Sequence, residues 1–128
     1  MTSYLIDSRI WVWMLDSERR LRPRMRALIA DADLRLSTAS LWELAVKAHA
    51  GRLTLGGTSD DYFFDRLRRT AVEPVTITPA DALRAAALPP HHGDPFDRMI
   101  VAQAQALGIP IITVDPKIAR YDVETVMD

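Results

Sequence analysis

Residues 109–114, Ile109-Pro110-Ile111-Ile112-Thr113-Val114, form an almost unbroken apolar run that ends at Asp115. Extended, such a run is apolar on both faces, because successive side chains of a strand point to opposite sides. A strand of that kind must be covered twice over. It belongs at the centre of a parallel sheet with helices packed on both sides. Three further segments read as strands and one as a last edge strand. Tyr4-Leu5-Ile6 is a short apolar run closed by Asp7, Leu34-Arg35-Leu36-Ser37 alternates, Pro74-Val75-Thr76-Ile77 follows later, and Val123-Glu124-Thr125-Val126 supplies the edge.

Helical segments lie between them. Residues 10–15 are apolar, and residues 17–32 place Leu21, Met25, Leu28 and Ile29 at helical spacing with arginines outside. Ser40 opens the next helix with a capping-box spacing to Glu43, and Gly51 ends it. Residues 59–69 form another amphipathic helix, and Thr78-Pro79-Ala80-Asp81 starts one that runs to Leu88. Pro89-Pro90-His91-His92-Gly93 must be a loop. Asp94 then caps a helix with Pro95 at its first position, and that helix runs to Gly108. Strands alternating with helices define an α/β sandwich around a mostly parallel sheet of four to five strands.

A length of 128 residues suits one domain, residues 1–128. The absence of cysteine excludes disulfides, thiolate metal sites and cysteine nucleophiles. No apolar run approaches the ~20 residues that span a bilayer. The N-terminal residues show no secretory signal, so a soluble, cytoplasmic protein is expected. A net charge of −1 gives no general field for nucleic acid, but the charge is uneven: residues 1–70 hold 12 of the 16 Lys and Arg. Arginines 19, 20, 22, 24 and 26, and again 66, 68 and 69, offer local phosphate-binding surfaces or simply solvated helix faces. No glycine-rich phosphate loop follows any strand, which disfavours a nucleotide-binding module.

The acids fall where chemistry would need them. Asp7, Glu43 and Asp115 follow three of the strands at the turn into the next element, and Asp97 opens the helix beside the central strand. Ligand sites of open parallel sheets lie in the crevice beyond the carboxyl ends of the strands. Several carboxylates converging there repel one another unless a cation intervenes, and oxygen ligands without cysteine suit Mg²⁺ or Mn²⁺. Each acid also has a capping explanation, and Asp81 and Asp94 need no other.

At these residues the chain resembles the PIN-domain family, and within it the VapC-type toxins of bacterial toxin–antitoxin pairs. The resemblance rests on Tyr4-Leu5-Ile6-Asp7-Ser8, on residues 37–45 (Ser-Thr-Ala-Ser-Leu-Trp-Glu-Leu-Ala), on residues 88–104 around Asp94-Pro95-Phe96-Asp97-Arg98, and on Ile112-Thr113-Val114-Asp115. It implies a three-layer α/β/α fold and an endoribonuclease that uses Mg²⁺ or Mn²⁺. It further implies a homodimer and inhibition by a small cognate antitoxin of the VapB kind. The acidic positions carry over as Asp7, Glu43, Asp97 and Asp115, which would be both catalytic and metal-ligating, with Asp94 as an additional contributor. Thr113 is expected to hydrogen-bond a ligand carboxylate, and Arg9 and Arg98 to contact phosphate.

One departure bears on the site. Ser8-Arg9 stands where many of these toxins show Thr-His, so Arg9 either clamps a scissile phosphate or pairs with an acid such as Asp97 and mutes the site. A muted PIN fold that only binds is therefore a rival. A Mg-dependent phosphatase or phospho-acceptor is another, since Lys117 follows Asp115 by two residues. His91 and His92 are expected to serve the loop or cap a helix. Trp11, Trp13 and Trp42 are expected in the core or a dimer interface rather than as stacking platforms for RNA bases.

Overall fold

The computed structural model describes residues 2–128. In chain order these form β1 (Ser3–Ile6), α1 (Ser8–Asp16), α2 (Pro23–Ala30), β2 (Asp33–Ser37), α3 (Thr38–His49), α4 (Asp60–Arg69), β3 (Glu73–Val75), α5 (Pro79–Ala87), α6 (Pro95–Leu107), β4 (Ile111–Thr113) and β5 (Thr125–Met127). The five strands make one sheet in the order β3-β2-β1-β4-β5, and every neighbouring pair is parallel.

Alternation along the strands divides the core into two layers. Leu5 pairs with Ile111 and Ile6 with Ile112 across β1 and β4. Ile6 and Ile112 face Ile10, Trp11, Met25, Leu44, Phe63 and Leu67 of α1 to α4, together with Leu34 and Leu36 of β2. Leu5 and Ile111 face the opposite way, against Ile100, Val101 and Ala104 of α6, with Ile118 and Tyr121 beside them. The sheet is thus covered on both faces, as the unbroken apolar run of β4 requires. The α/β sandwich expected from the sequence is the observed architecture.

Two local expectations are corrected. The basic segment 17–32 is not one helix: only Pro23–Ala30 is α-helical, preceded by a 3₁₀ turn at Glu18–Arg20. Pro23 forces its predecessor out of the helical region, and Arg22 is extended at ψ 150°. The cap of α3 is Ser37 rather than Ser40: its hydroxyl accepts the Ala39 amide at 3.1 Å, so the helix begins as soon as β2 ends. Ser40 and Glu43 lie within the helix, and no capping box joins them.

Other caps match their sequence signatures. Thr78 and Asp81 exchange the two bonds of a capping box at α5. Asp94 accepts the Phe96 and Asp97 amides at 2.8 and 3.4 Å to start α6, and Gly108 ends it at φ 67°, a conformation that favours glycine. None of the helices among the described residues is long and apolar enough to cross a membrane.

Candidate active site

The chain runs from β1 outward to β2 and β3, then returns to the other side of β1 for β4 and β5. The direction of winding therefore reverses between β1 and β4, and such a reversal opens a crevice at the carboxyl ends of the two strands. Asp7 leaves β1 at that point and caps α1, its Oδ1 accepting the Ile10 amide at 3.0 Å. Its own amide donates to the Ile112 carbonyl of β4 at 3.0 Å. The last residue of β4, Thr113, is fully buried, and its hydroxyl donates to Asp7 Oδ2. The same hydroxyl oxygen accepts the Asp115 backbone amide at 3.0 Å, so one threonine ties the Asp7 carboxylate to the backbone that carries Asp115.

Glu43 reaches the crevice from the second turn of α3, and Asp97 from the first turn of α6. Asp7, Glu43, Asp94, Asp97 and Asp115 line one cleft of about 360 Å³, with Arg9, Arg20, Lys47 and Arg52 among its other walls. A larger groove of about 620 Å³, lined by Arg84, Gln105, Ile109 and Asp122, carries no such convergence of acids.

Burial sets the electrostatics. It is the chief influence on Asp7, only 4% exposed, and it pushes that carboxyl above its ordinary range against the bonds from Thr113, Ile10 and Val114. Burial also acts first on Asp97, and with the charges of Asp94, Glu43 and Asp7 it raises the carboxyl to about 7, although His92 opposes the shift. The position of Asp97 in the first turn of α6, where the helix N-terminus favours an ionised acid, is outweighed. Partial burial raises Asp115 as well, but the Lys117 amide and His92 more than compensate, and this acid stays below its usual range.

A consequence for stability follows from Asp97. Its folded carboxyl near 7 lies above the unfolded value of 3.8, so the folded chain holds the proton more tightly. The resulting stabilisation is fully present below about pH 4 and is lost as pH rises through 7. In metal-free buffer, the denaturation midpoint of the native chain should fall between pH 5 and 8 by more than that of Asp97→Asn. Parallel profiles would show that the carboxyl is not raised.

Glu43 is 5% exposed, and Lys47, one turn further along α3, holds its Oε2 at 2.9 Å. Its Oε1 is buried without a hydrogen-bond partner. A buried anionic oxygen left unpaired is costly, and in the same cleft carboxylate oxygens of Asp97 and Asp115 lie, with His92 Nε2, within 4.8 Å of one another, close enough to share a divalent cation. The residues present therefore fit the metal that the sequence suggests.

Three further side chains take definite positions around the cleft. Arg9 is exposed and lines the cleft, and among the described residues it forms no salt bridge with any acid, so the muting pair with Asp97 is not formed. The Arg98 guanidinium turns to backbone instead of the cleft, donating to the carbonyls of Ala85, Leu88 and Pro89 at 2.8, 2.9 and 3.0 Å. His92 is not merely a loop residue: its Nε2 lies 2.7 Å from Asp115 Oδ2 and 3.0 Å from Asp97 Oδ2. Its proline-rich surroundings concealed this, because only the fold brings residues 92 and 115 together.

The tryptophans separate. Trp11 is fully buried and donates to Thr70 Oγ1 at 3.1 Å, and Trp13 is half-buried on the cleft wall. Trp42 is 63% exposed, edge-on to Phe96. Lys47 and Arg52 are basic cleft residues that the sequence did not single out. The spacing of Lys47 four residues after Glu43 was the available signal. Arginines 66, 68 and 69 pair with Asp65, at 3.4, 2.6 and 2.9 Å, and form a solvated face instead of a free phosphate-binding surface.

An acid-lined crevice at the switch point of a parallel sheet is the arrangement of a PIN domain. The chain belongs to that family, whose model matches residues 4–124. It is 33% identical over 123 residues to Ribonuclease VapC22 of Mycobacterium tuberculosis, covering 94% of this chain and 93% of that protein. Among solved structures it resembles DNA-bound VapBC from Salmonella typhimurium, with a TM-score of 0.72 at 14% identity over 99% of this chain and 98% of that one. VapBC2 from Rickettsia felis, bound to a DNA fragment from its promoter, gives 0.71 at 13% identity over 98% of both. A toxin–antitoxin complex from Klebsiella pneumoniae gives 0.67 at 18% identity over 97% and 96%. At these identities the structural likeness is one of fold.

Proposed function

We propose that this protein is a divalent-metal-dependent endoribonuclease, the toxin of a toxin–antitoxin pair, and that it hydrolyses RNA phosphodiester bonds in the cleft between β1 and β4. The observation that carries the proposal is the convergence of Asp7, Glu43, Asp97 and Asp115 there, with one buried carboxylate oxygen of Glu43 left without a partner. The resemblance to a ribonuclease along 94% of the chain supports the choice of RNA as substrate.

Asp7, Asp97 and Asp115 are the residues that would hold Mg²⁺ or Mn²⁺, with Glu43 completing the set and Asp94 as an auxiliary acid. A bound divalent ion would supply Lewis acidity toward the phosphodiester and its leaving 3′ oxygen. The chain's own groups do the rest. Thr113 keeps Asp7 and Asp115 in register through the two bonds of one hydroxyl. Lys47 anchors Glu43 by Oε2, which leaves Oε1 either to complete the metal-holding set or to orient the attacking water. Arg9, Arg20, Lys47 and Arg52 line the same cleft and offer positive charge to the RNA backbone. Lys117 binds Asp115 through its backbone amide, at 2.9 Å, which lends no support to a phosphate-pairing lysine of the phospho-acceptor kind.

The solved relatives are complexes of toxin with antitoxin, which supports a cognate antitoxin as partner; pairing with a second copy of this chain and a cytoplasmic location are part of the same proposal. The test is purified, antitoxin-free protein on a panel of structured RNAs with Mg²⁺, Mn²⁺ or EDTA, beside Asp97→Asn. Cleavage should require metal and vanish in the variant. Folded protein that cuts no RNA under any of these conditions would instead point to a PIN fold used for binding.

A further inference from the structure

His92 stands at the acidic cluster without an assigned task. Its Nε2 lies between Asp115 Oδ2, at 2.7 Å, and Asp97 Oδ2, at 3.0 Å, and its side chain is 11% exposed. An imidazole nitrogen there has two possible tasks: to bind the cation as a ligand, or to donate a proton to the carboxylates. The other ring nitrogen decides between them. Nδ1 accepts the backbone N–H of Asp94 at 3.1 Å. A nitrogen that accepts carries no proton, so the ring proton of the neutral imidazole sits on Nε2. Ligation through Nε2 would require that proton to move to Nδ1, where it would confront the Asp94 N–H.

We infer that His92 is a positioning residue of the metal site, not a ligand: its Nε2–H donates to Asp115 Oδ2 while Asp97 Oδ2 lies 3.0 Å from the same nitrogen, and the imidazole so holds these two acids together for the cation. The inference rests on the metal-binding reading above. The contact answers a specific problem, because Asp97 and Asp115, whose ligand atoms lie within 4.8 Å of each other, must both be ionised to hold the cation, and a donor placed beside them offsets the repulsion that ionisation brings. It also stands on a fixed base. The His92 amide donates to Tyr121 Oη at 2.9 Å, and the neighbouring His91 ring packs edge-on to Tyr121 at 4.9 Å between centroids. The loop therefore delivers the imidazole at a set height, and the Asp94 amide sets its tautomer. Asp94 thereby acts twice: its carboxylate starts α6, and its N–H orients His92.

The experiment has two readouts. Long-range ¹H–¹⁵N spectra of ¹⁵N-histidine-labelled, metal-free protein report the tautomer directly, and the His92 signals should carry the Nε2–H pattern. An Nδ1–H pattern would overturn the inference, since Nε2 would then be free to ligate. Titration with Mn²⁺, followed by electron paramagnetic resonance, compares the native chain with His92→Ala and His92→Gln after circular dichroism shows all three folded. Loss of the donor should weaken Mn²⁺ binding about 10–100-fold in the alanine variant. Glutamine, whose amide N–H can still donate, should recover part of it. Unchanged or tighter binding by His92→Ala, with the native chain binding normally, would defeat the positioning role. A native chain that binds no Mn²⁺ would defeat the metal reading and the contact's purpose with it, while the tautomer result would still report whether the Nε2–H contact exists.

Discussion

Asp7→Asn is expected to lower RNA cleavage more than about 100-fold, beyond what loss of a mere supporting contact to a ligand costs, and to leave the fold intact. Asparagine keeps the shape of the side chain and an oxygen to accept the Ile10 amide, so the start of α1 survives. The amide nitrogen then faces Thr113 Oγ1 as a donor, and the threonine hydroxyl can turn to accept. The negative charge is what disappears. Asp7 is a buried carboxyl whose environment resists ionisation in the metal-free chain, so removing its charge should hold or raise thermal stability without metal. The two effects oppose each other: activity collapses while the melting temperature does not. Single-turnover cleavage and thermal unfolding of the same preparation would measure both. Near-native cleavage by the variant would remove Asp7 from the site.

Arg98→Ala is expected to cost on the order of 3 kcal/mol of stability, the range for loss of charged hydrogen bonds that leaves acceptors unpaired, and to weaken metal binding as well. The reason begins with Pro89. The residue before a proline is pushed out of the helical region, and Leu88 is extended at ψ 150°, so α5 stops there. Its last carbonyls then lack their full set of partners within the helix, Ala85 keeping only the Leu88 amide at 3.4 Å. Arg98, one turn into α6, supplies them: Nη2 donates to Ala85 and Leu88, while Nη1 donates to Pro89 and reaches the His92 carbonyl at 3.5 Å. The planar guanidinium serves both the end of α5 and the loop that carries His92.

Lysine, a single compact donor, should restore little of this. Urea denaturation and Mn²⁺ titration of Arg98→Ala and Arg98→Lys would show the coupled loss. Unchanged stability with a rise in KM for RNA alone would return Arg98 to the phosphate-binding role suggested by the sequence.

Some features were legible because they depend on neighbours along the chain. The run at residues 109–114 demanded cover on both faces, and β4 has it. Thr78 with Asp81, and Asp94 with Pro95, are caps whose partners lie within three residues, and both formed as spaced. The same local logic failed at Ser40 and Glu43, where an equally good signature was overridden because Ser37 ends β2 and caps α3 at once. It failed also along residues 17–32, where helical spacing continued through Pro23 but the backbone could not follow.

What the sequence determined by itself was the alternation of strand and helix, the two-faced burial of the central strand, and acids at the strand ends. These follow from short-range periodicity and from the geometry of single turns. What only the tertiary structure decided was which groups meet across long stretches of chain. Thr113 donates to Asp7, 106 residues away, and His92 meets Asp115, 23 residues away, while Arg98 turns from the cleft to the end of α5. A side chain capable of several bonds takes the partners that the packed layers place beside it, and no spacing along the sequence encodes that choice.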